Sequence, residues 1–161
     1  MLALRFAAVL GLVFWTGGLV ALGAVAAPAI FDVLGATGPG GRALAGTVFG
    51  EAFARFQFVS YVCSALIVGS LVVRAVLGPR PRHFGLRMIV SALMLAAAAW
   101  TDVVLIPRIQ DAQRTLGASA SPIPDTDARR IQFGRLHGLS TSLQLVPLFG
   151  GLALLFFELK D

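Results

Sequence analysis

Four long apolar segments alternate with shorter polar stretches along the chain and dominate its hydropathy pattern. Each segment can cross about 30 Å of hydrocarbon at a rise of about 1.5 Å per residue. The pattern predicts four helices, at about residues 4–30, 56–77, 86–106 and 130–159. Because consecutive spans run in opposite directions, we expect an all-α membrane protein, an antiparallel bundle of four transmembrane helices in a single domain, residues 1–161.

Glycines and prolines suggest where the segments end. The first helix is expected to end near Pro28, and Asp32–Gly41 to form a loop. Residues 42–55 are predicted to be an amphipathic segment that leads into the second helix. After the third helix, the small and proline-bearing stretch Gly117–Pro124 is predicted to be a loop.

The composition supports a membrane protein. Hydrophobic residues make up 57% of the chain and charged residues only 13%, whereas charged residues reach about a quarter of a soluble domain. The formal net charge is +5. The arginines lie at the ends of apolar segments, so we interpret them as topology determinants and expect no nucleic-acid partner.

Basic residues near the segment ends predict the orientation in the membrane. The short loop between the second and third segments has four basic residues in or beside it and no acidic one, and short loops dominate the positive-inside rule. We therefore expect this loop and both termini in the cytoplasm of a bacterial inner-membrane protein. The loops at Asp32–Gly41 and Gly117–Pro124 would then face outward.

Two pairs of short matches suggest that the chain contains two related helical hairpins. The pattern Pro-x-Ile-x-Asp occurs at Pro28–Asp32 and again at Pro107–Asp111, and Arg-x-Gln-Phe occurs at Arg55–Phe58 and at Arg130–Phe133. Order and position both agree. The two hairpins would be related by an axis along the membrane normal.

The fourth segment opens with a polar stripe and then continues into the apolar run Leu145–Leu159. Arg135 precedes the stripe. At 100° per residue, its members fall within one third of the helix circumference: His137, Ser140, Thr141 and Gln144. Unsatisfied polar groups in hydrocarbon are costly, so we expect the other helices to pack around this stripe.

Asp102 is the one acidic residue that the sequence places well inside a span, and we expect it at the depth of His137. A carboxylate bonded to imidazole would fix its tautomer and raise its basicity, as in metal sites and proton relays. The alternative is a structural ion pair with an arginine at the same level, which could be Arg55, Arg130 or Arg135. These groups should meet at the outer end of the bundle, beside Trp15 or Trp100.

A second polar face lies at the start of the second segment. Gln57, Tyr61 and Ser64 recur at i, i+4 and i+7, which places them on one side of a helix. This pattern is more typical of hydrogen bonds between membrane helices than of a substrate pocket.

The chain carries no motif of a known enzyme class. It has no phosphate-binding glycine loop, no Gly-x-Ser-x-Gly and no Cys-x-x-Cys. A zinc or copper site needs three or four ligands, and His137, Asp102 and Glu51 could form one only loosely. A bis-histidine haem needs two histidines at one depth, whereas His83 and His137 are expected on opposite sides of the bilayer.

Four short patterns carry a resemblance to a known family, in this order along the chain: Trp15-x-Gly17-Gly18, Ala27-Pro28-x-x-Phe31, Phe49-x-x-x-Phe53 and Phe133-x-x-x-His137-x-x-Ser140. With these residues the chain resembles the transmembrane-protein-205-like family, whose bacterial members are catalogued as a domain of unknown function. The resemblance covers nearly all 161 residues and implies a small polytopic membrane protein without an established activity. The eukaryotic namesake is linked to platinum-drug resistance, which implies metal or drug handling. The segment pattern also resembles small four-helix membrane proteins that handle copper or bind haem.

Together these observations favour a non-enzymatic membrane protein. It would bind or pass a small solute or metal, or serve as an accessory subunit of a larger membrane assembly. Besides lipid, we expect its partners to be other membrane subunits or further copies of the chain. The alternative is a membrane redox protein that binds haem. We expect no cofactor, although haem or a metal ion held by His137 stays open as an alternative.

Overall fold

The computed structural model describes residues 1–78, 80–117, 124 and 126–160. Within these residues the chain forms four long helices and no strand: α1 (Leu2–Gly35), α2 (Gly41–Leu77), α3 (Phe84–Leu116) and α4 (Ala128–Lys160). All four are long and apolar enough to cross a membrane. The predicted all-α fold with four candidate spans is confirmed.

The helices form an antiparallel bundle in which each packs against its neighbours in the chain, and α1 also packs against α4. Met1 touches Gly78 after α2, and Arg74 and Arg87 bond to Glu158 of α4. We call this the termini end, and the opposite end the far end. The core between the helices is formed by Leu12, Trp15, Cys63, Ile67, Leu71, Met94, Ala98 and Leu154.

Two π-helical segments explain why the prolines that follow them do not end their helices. The segments are Ala21–Ala26 in α1 and Thr101–Leu105 in α3, and each is followed two residues later by a proline, Pro28 or Pro107. A π-helical turn shifts the backbone hydrogen bonds, so each proline falls in the first turn of the next α-helical stretch, where its missing N–H is not needed. The expected end of the first helix near Pro28 is therefore wrong, since α1 continues to Gly35.

The turn between α1 and α2 is shorter than the predicted loop Asp32–Gly41, because only residues 36–40 lie outside the helices. Gly38 has φ 119°, a conformation that favours glycine. Gly41 is buried, and a Cβ there would collide with the carbonyl oxygen of Leu34. Of the other predicted loop, Gly117–Pro124, residues 118–123 lie outside the described residues.

Helix α2 begins at Gly41, so the predicted lead-in and the second span are one continuous helix. The ring of Phe49 lies 6.5 Å from that of Phe31 in α1 and 6.2 Å from that of Phe53. These aromatic contacts attach the first turns of α2 to the last turns of α1.

The helices are longer than a bilayer requires. They contain 33 to 37 residues, which corresponds to about 50 Å, against about 30 Å of hydrocarbon. At the termini end the exposed side chains stay apolar to the last turns, as with Leu2, Val76, Leu77 and Leu159. We therefore expect the excess length to lie at the far end, beyond the hydrocarbon.

The π-helical segments also bear on the proposed duplication, because each lies just before one copy of Pro-x-Ile-x-Asp. Helices α1 and α3 thus share an order of α-helix, π-helical segment and proline. The rotation that would superpose residues 6–77 on 86–157 stays a prediction.

The start of α4 is capped by Asp127. Its carboxylate accepts hydrogen bonds from the backbone N–H of Arg129 at 2.8 Å and from Nη2 of the same residue at 2.8 Å. The side-chain hydrogen bond from Arg129, and then the backbone one, lower the pKa of Asp127 to about 2.

Candidate functional site

Two hydrogen bonds join α2 to α3 in the half of the bundle nearer the far end. Gln57 Nε2 donates to the carbonyl oxygen of Ala98 at 2.9 Å, and Tyr61 Oη donates to Asp102 Oδ2 at 2.8 Å. Gln57 is 1% exposed, whereas Tyr61 and Asp102 are half-buried. Ala98 and Asp102 flank the start of the π-helical segment at Thr101. The polar face of α2 therefore bonds to the part of α3 where the helix geometry changes.

Asp102 does not meet His137. Arg87 Nη1 donates a hydrogen bond to Glu158 Oε1 at 2.8 Å, so Arg87 of α3 and Glu158 of α4 lie at about the same depth at the termini end. From that level Asp102 lies about 22 Å along α3 and His137 about 32 Å along α4, at about 1.5 Å per residue. The predicted contact is wrong because the two residues differ by about 10 Å in depth.

The polar stripe of α4 is only partly covered by the bundle. Ser140 and Gln144 are half-buried, whereas Arg135, His137 and Thr141 are exposed. The imidazole of His137 stacks on Phe133 of its own helix, with centroids 6.0 Å apart, and Thr141 Oγ1 donates to the carbonyl oxygen of His137 at 3.0 Å. The expectation that the helices surround the whole stripe is wrong, because α4 uses an adjacent face, through Pro147, Gly151 and Leu154, for its main contacts.

Gln144, on the inner edge of the stripe, lies at about the depth of Gln57. Gly150 of α4 approaches Met94 of α3, so Gln144 lies at the level of Thr101, where the π-helical segment begins. Both polar side-chain atoms of Gln144 are buried without a hydrogen-bond partner in the described chain, as is Oε1 of Gln57. Such groups are costly in an apolar interior.

The remaining residues of the predicted site do not converge on Asp102. Arg55 is exposed, and its Nε bonds to Glu51 Oε1 of its own helix at 3.0 Å. Trp15 is 1% exposed in the core, whereas Trp100 is 56% exposed on the outside of the bundle. In the described part of the chain, no ion pair joins Asp102 to Arg55, Arg135 or His137.

The geometry does not favour a metal site or a bis-histidine haem. The described residues contain no group of three or more His, Cys, Asp or Glu side chains that could hold a metal ion. The predicted loose set of His137, Asp102 and Glu51 is not assembled. His83 precedes α3 at the termini end, while His137 lies about 32 Å along α4 from that end, so the two cannot ligate one haem.

The most highly bonded polar cluster lies at the termini end, where no site was predicted. Glu158 is 4% exposed, and its Oε1 accepts hydrogen bonds from Arg74 Nη1 at 2.9 Å and Arg87 Nη1 at 2.8 Å. Arg87 Nη2 also donates to the carbonyl oxygen of Phe157 at 2.8 Å. Arg5 Nε lies 3.6 Å from Glu158 Oε2, and its Nη2 bonds to the backbone carbonyl of Glu158. One glutamate of α4 thus contacts an arginine from each of the other three helices.

The sequence held a signal for this cluster. Arg74 and Arg87 lie inside their helices at the same end, and an arginine buried there needs a carboxylate partner. Glu158 lies in the last turns of α4 at that end. The charge pattern alone assigned these arginines to topology and named Asp102 as the one acidic residue well inside a span, so Glu158, in the last turn of α4, was not identified as their partner.

The interior of the bundle is filled by close helix contacts. A Cβ on Gly11 would lie 3.0 Å from the carbonyl oxygen of Cys63, and one on Gly150 would lie 2.8 Å from Met94 Cγ. The two best-defined depressions on the described residues are open surface grooves, one between α1 and α4 and one beside Glu51 and Arg55 on α2. Neither leads into the bundle interior as an enclosed cavity.

Comparison with known proteins assigns most of the chain to a family. Residues 10–117 match a family described as Domain of unknown function (DUF4149). The match covers about two thirds of the chain and includes α1 from residue 10 onward and the whole of α2 and α3. Searches of curated proteins and of solved structures found no match.

Proposed function

Since the chain belongs to the DUF4149 family of unknown function, we propose its role from its own structure: it is a non-enzymatic accessory subunit of a larger membrane assembly. In this proposal the far-end half of α4 contacts a transmembrane helix of another subunit. The observation that carries the proposal is the polar surface that α4 turns away from the bundle, with Arg135, His137 and Thr141 exposed.

The exposed surface of α4 supports a partner on that side. Helix α4 has the smallest buried share of the four spans. Thr141 lies about 26 Å along α4 from Glu158, within the thickness of the hydrocarbon, and His137 lies at its boundary. Within the hydrocarbon, the outward-facing hydroxyl of Thr141 is more favourable against a polar partner helix than against lipid. Arg135 and His137, at or beyond the boundary, would contact the part of the same partner that extends out of the hydrocarbon.

The filled interior supports a subunit role over the passage of a solute. Close contacts at Gly11 and Gly150 bring the helices together along the core. A conduit would require a continuous polar cavity, whereas the two best-defined depressions on the described residues are open grooves at the surface. The passage of a solute by the single chain stays a prediction.

Copurification from native membranes in mild detergent tests the proposal. We expect the wild-type protein to retain a partner at fixed stoichiometry, and the double variant Arg135→Ala/His137→Ala to retain about tenfold less, the effect of about 1.4 kcal/mol. The matched control is Arg42→Ala/Arg55→Ala, which removes two exposed arginines of α2. A chain that purifies alone, or equal losses in both variants, would refute the proposal. Recovery of a second copy of the chain would change the partner from another subunit to a homo-oligomer.

A second candidate function is the binding of a small monovalent cation beside Asp102. This function is supported by the carboxylate of Asp102, which is half-buried at membrane depth and accepts a hydrogen bond from Tyr61. One helical turn before Tyr61, Oε1 of Gln57 is a buried acceptor without a partner among the described residues. Intramembrane carboxylates commonly mark ion sites. The unfolding temperature of purified protein should then rise with the concentration of one monovalent cation, and Asp102→Asn should abolish the rise while the exposed control Glu51→Gln preserves it. An equal rise in both variants would exclude this site.

The orientation is part of the proposal. We place the termini end in the cytoplasm of a bacterial inner membrane, supported by the basic turn before α3. An impermeant thiol reagent applied to intact cells should label Gln110→Cys at the far end and not Arg82→Cys. The reverse pattern would invert the topology.

The haem alternative and the resemblance to transmembrane-protein-205-like proteins both stay predictions. A Soret band in purified protein would establish haem, and its loss in His137→Ala would identify the ligand. The linkage of the eukaryotic namesake to platinum-drug resistance would extend to this chain only if cells that lack it change their tolerance of platinum compounds.

A further inference from the structure

The termini end of the bundle carries 6 of the 13 basic residues of the chain but only 2 of its 8 acidic residues, and exposed apolar side chains surround it. We infer that it binds the phosphate group of an anionic phospholipid, with Arg5 as the side chain that contacts the phosphate. This inference is independent of the proposed subunit role, because it concerns the opposite end of the bundle from His137.

The charge at this end is strongly positive. The basic residues there are Arg5, Arg74, Arg80, Arg82, Arg87 and Lys160, and the acidic residues of the same stretches are Glu158 and Asp161, the latter outside the described residues. Basic clusters between transmembrane helices favour anionic lipid headgroups, because the low dielectric of the surroundings strengthens the attraction.

Arg5 is positioned to contact such a headgroup. Its side chain is 35% exposed, whereas those of Arg74 and Arg87 are 10% and 1% exposed. Nε and Nη2 of Arg5 face the carboxylate and the backbone carbonyl of Glu158, respectively. These contacts hold one edge of the guanidinium against the bundle, while Nη1 has no hydrogen bond to a described residue. The guanidinium is therefore preorganised to bind an anion through Nη1.

Two further exposed cations lie at the termini end of the bundle, each over an aromatic ring. The guanidinium of Arg80 lies 5.1 Å from the ring centre of Phe84, and Nζ of Lys160 lies 4.3 Å from that of Phe156. Cation–π contacts keep both charges at the surface of the bundle, where they remain exposed. Both charges add to the positive potential that an anion meets at this end of the bundle.

The surroundings favour a lipid over a soluble phosphate. Exposed apolar side chains lie next to Arg5 on α1, at Leu2 and Phe6, and at the end of α2, at Val76 and Leu77. In a membrane these side chains contact acyl chains. A phosphate group bound at Arg5 is therefore more favourable as part of a lipid, because the acyl chains of that lipid cover these apolar side chains.

Purified protein in a neutral detergent tests the inference. Phosphatidylglycerol or phosphatidylcholine is added, bound lipid is counted by native mass spectrometry, and the unfolding temperature is measured for each lipid. We expect phosphatidylglycerol to bind more tightly and to raise the unfolding temperature more than phosphatidylcholine does. Arg5→Gln should weaken phosphatidylglycerol binding about fivefold, the effect of one basic residue near an anionic surface. Arg5→Lys should keep most of the preference, and Arg55→Gln, an exposed arginine at the far end, should keep all of it.

The outcomes separate the alternatives. The readout is the difference between the two lipids within each variant, so a general loss of stability in Arg5→Gln does not count as support. Glycerol phosphate, which has no acyl chains, should have little effect at the same concentration, and an equal effect would refute the lipid and leave a soluble phosphate site. Equal binding of the two lipids, or equal losses in Arg5→Gln and Arg55→Gln, would overturn the inference.

Discussion

Glu158→Gln tests the cluster that holds the termini end of the bundle together. The substitution preserves the size of the side chain but removes the negative charge that accepts hydrogen bonds from Arg74 and Arg87. Glu158 is 4% exposed and Arg87 is 1% exposed, so water cannot replace the lost carboxylate at low cost. Removing one partner of a buried ion pair costs about 3–5 kcal/mol.

The expected loss can be expressed as a change in unfolding temperature. For a domain of 150–250 residues, 1 kcal/mol corresponds to about 2–4 °C. Glu158→Gln should therefore lower the unfolding temperature by about 6–20 °C, measured by thermal unfolding in one detergent. The matched control is Glu51→Gln, which removes the exposed i, i+4 pair with Arg55. That pair contributes about 0.3–0.5 kcal/mol, so its loss should lower the unfolding temperature by less than about 2 °C.

A double-mutant cycle distinguishes an ion pair from a general packing defect. If Glu158 and Arg74 interact directly, the double variant Glu158→Gln/Arg74→Gln should be more stable than the sum of the two single losses implies, by about 0.5–3 kcal/mol. Strictly additive losses would show that the two side chains act independently. Equal losses in Glu158→Gln and Glu51→Gln would refute the reasoning from burial.

Three further predictions concern other parts of the bundle. Tyr61→Phe removes the hydrogen-bond donor to Asp102 and should lower the unfolding free energy by about 1–3 kcal/mol, measured by denaturant unfolding in mixed micelles. An unchanged unfolding free energy would mean that the hydrogen bond is not formed in the membrane protein. Gly11→Ala places a methyl group 3.0 Å from a backbone carbonyl and should cost about 1–3 kcal/mol, whereas Gly17→Ala, where the structure leaves open space, should be neutral or slightly stabilising in the same assay. Asp127→Ala should lower the unfolding temperature at pH 6. The pKa of this carboxyl is about 2 in the folded protein, against an ordinary value of 3.8. The difference in unfolding temperature between variant and wild type should therefore be complete above about pH 4 and disappear as the pH falls through 2. A difference that persists below pH 2 would contradict the capping role.

The number and approximate position of the spans could be predicted from the sequence, because long apolar runs have few alternatives in a membrane protein. The lengths of the helices could not. Pro28 indicated an end to α1, and nothing in the local pattern shows that the π-helical segment Ala21–Ala26 accommodates the proline. A π-helical segment also precedes Pro107 in α3. The predicted ends of α1 and α3 therefore both came too early in the chain.

The contacts of the predicted site depended on the registers of the helices, which hydropathy does not specify. Tyr61 and Asp102 were both identified as polar residues inside spans, but their mutual bond follows from the way α2 packs on α3. His137 was assigned to the depth of Asp102 because α4 was measured from its beginning. Measured from Glu158, at the other end of the helix, His137 lies at the boundary of the hydrocarbon.

The measurement that tests the central claim most directly is site-specific photo-crosslinking in cells that produce the protein naturally. A photoreactive amino acid replaces His137 on the exposed side of α4 or, as the control, Val62, an exposed apolar residue of α2. The subunit proposal predicts one crosslinked partner of defined mass from position 137 and none from position 62. The absence of a crosslink at position 137, or the same products from both positions, would contradict it.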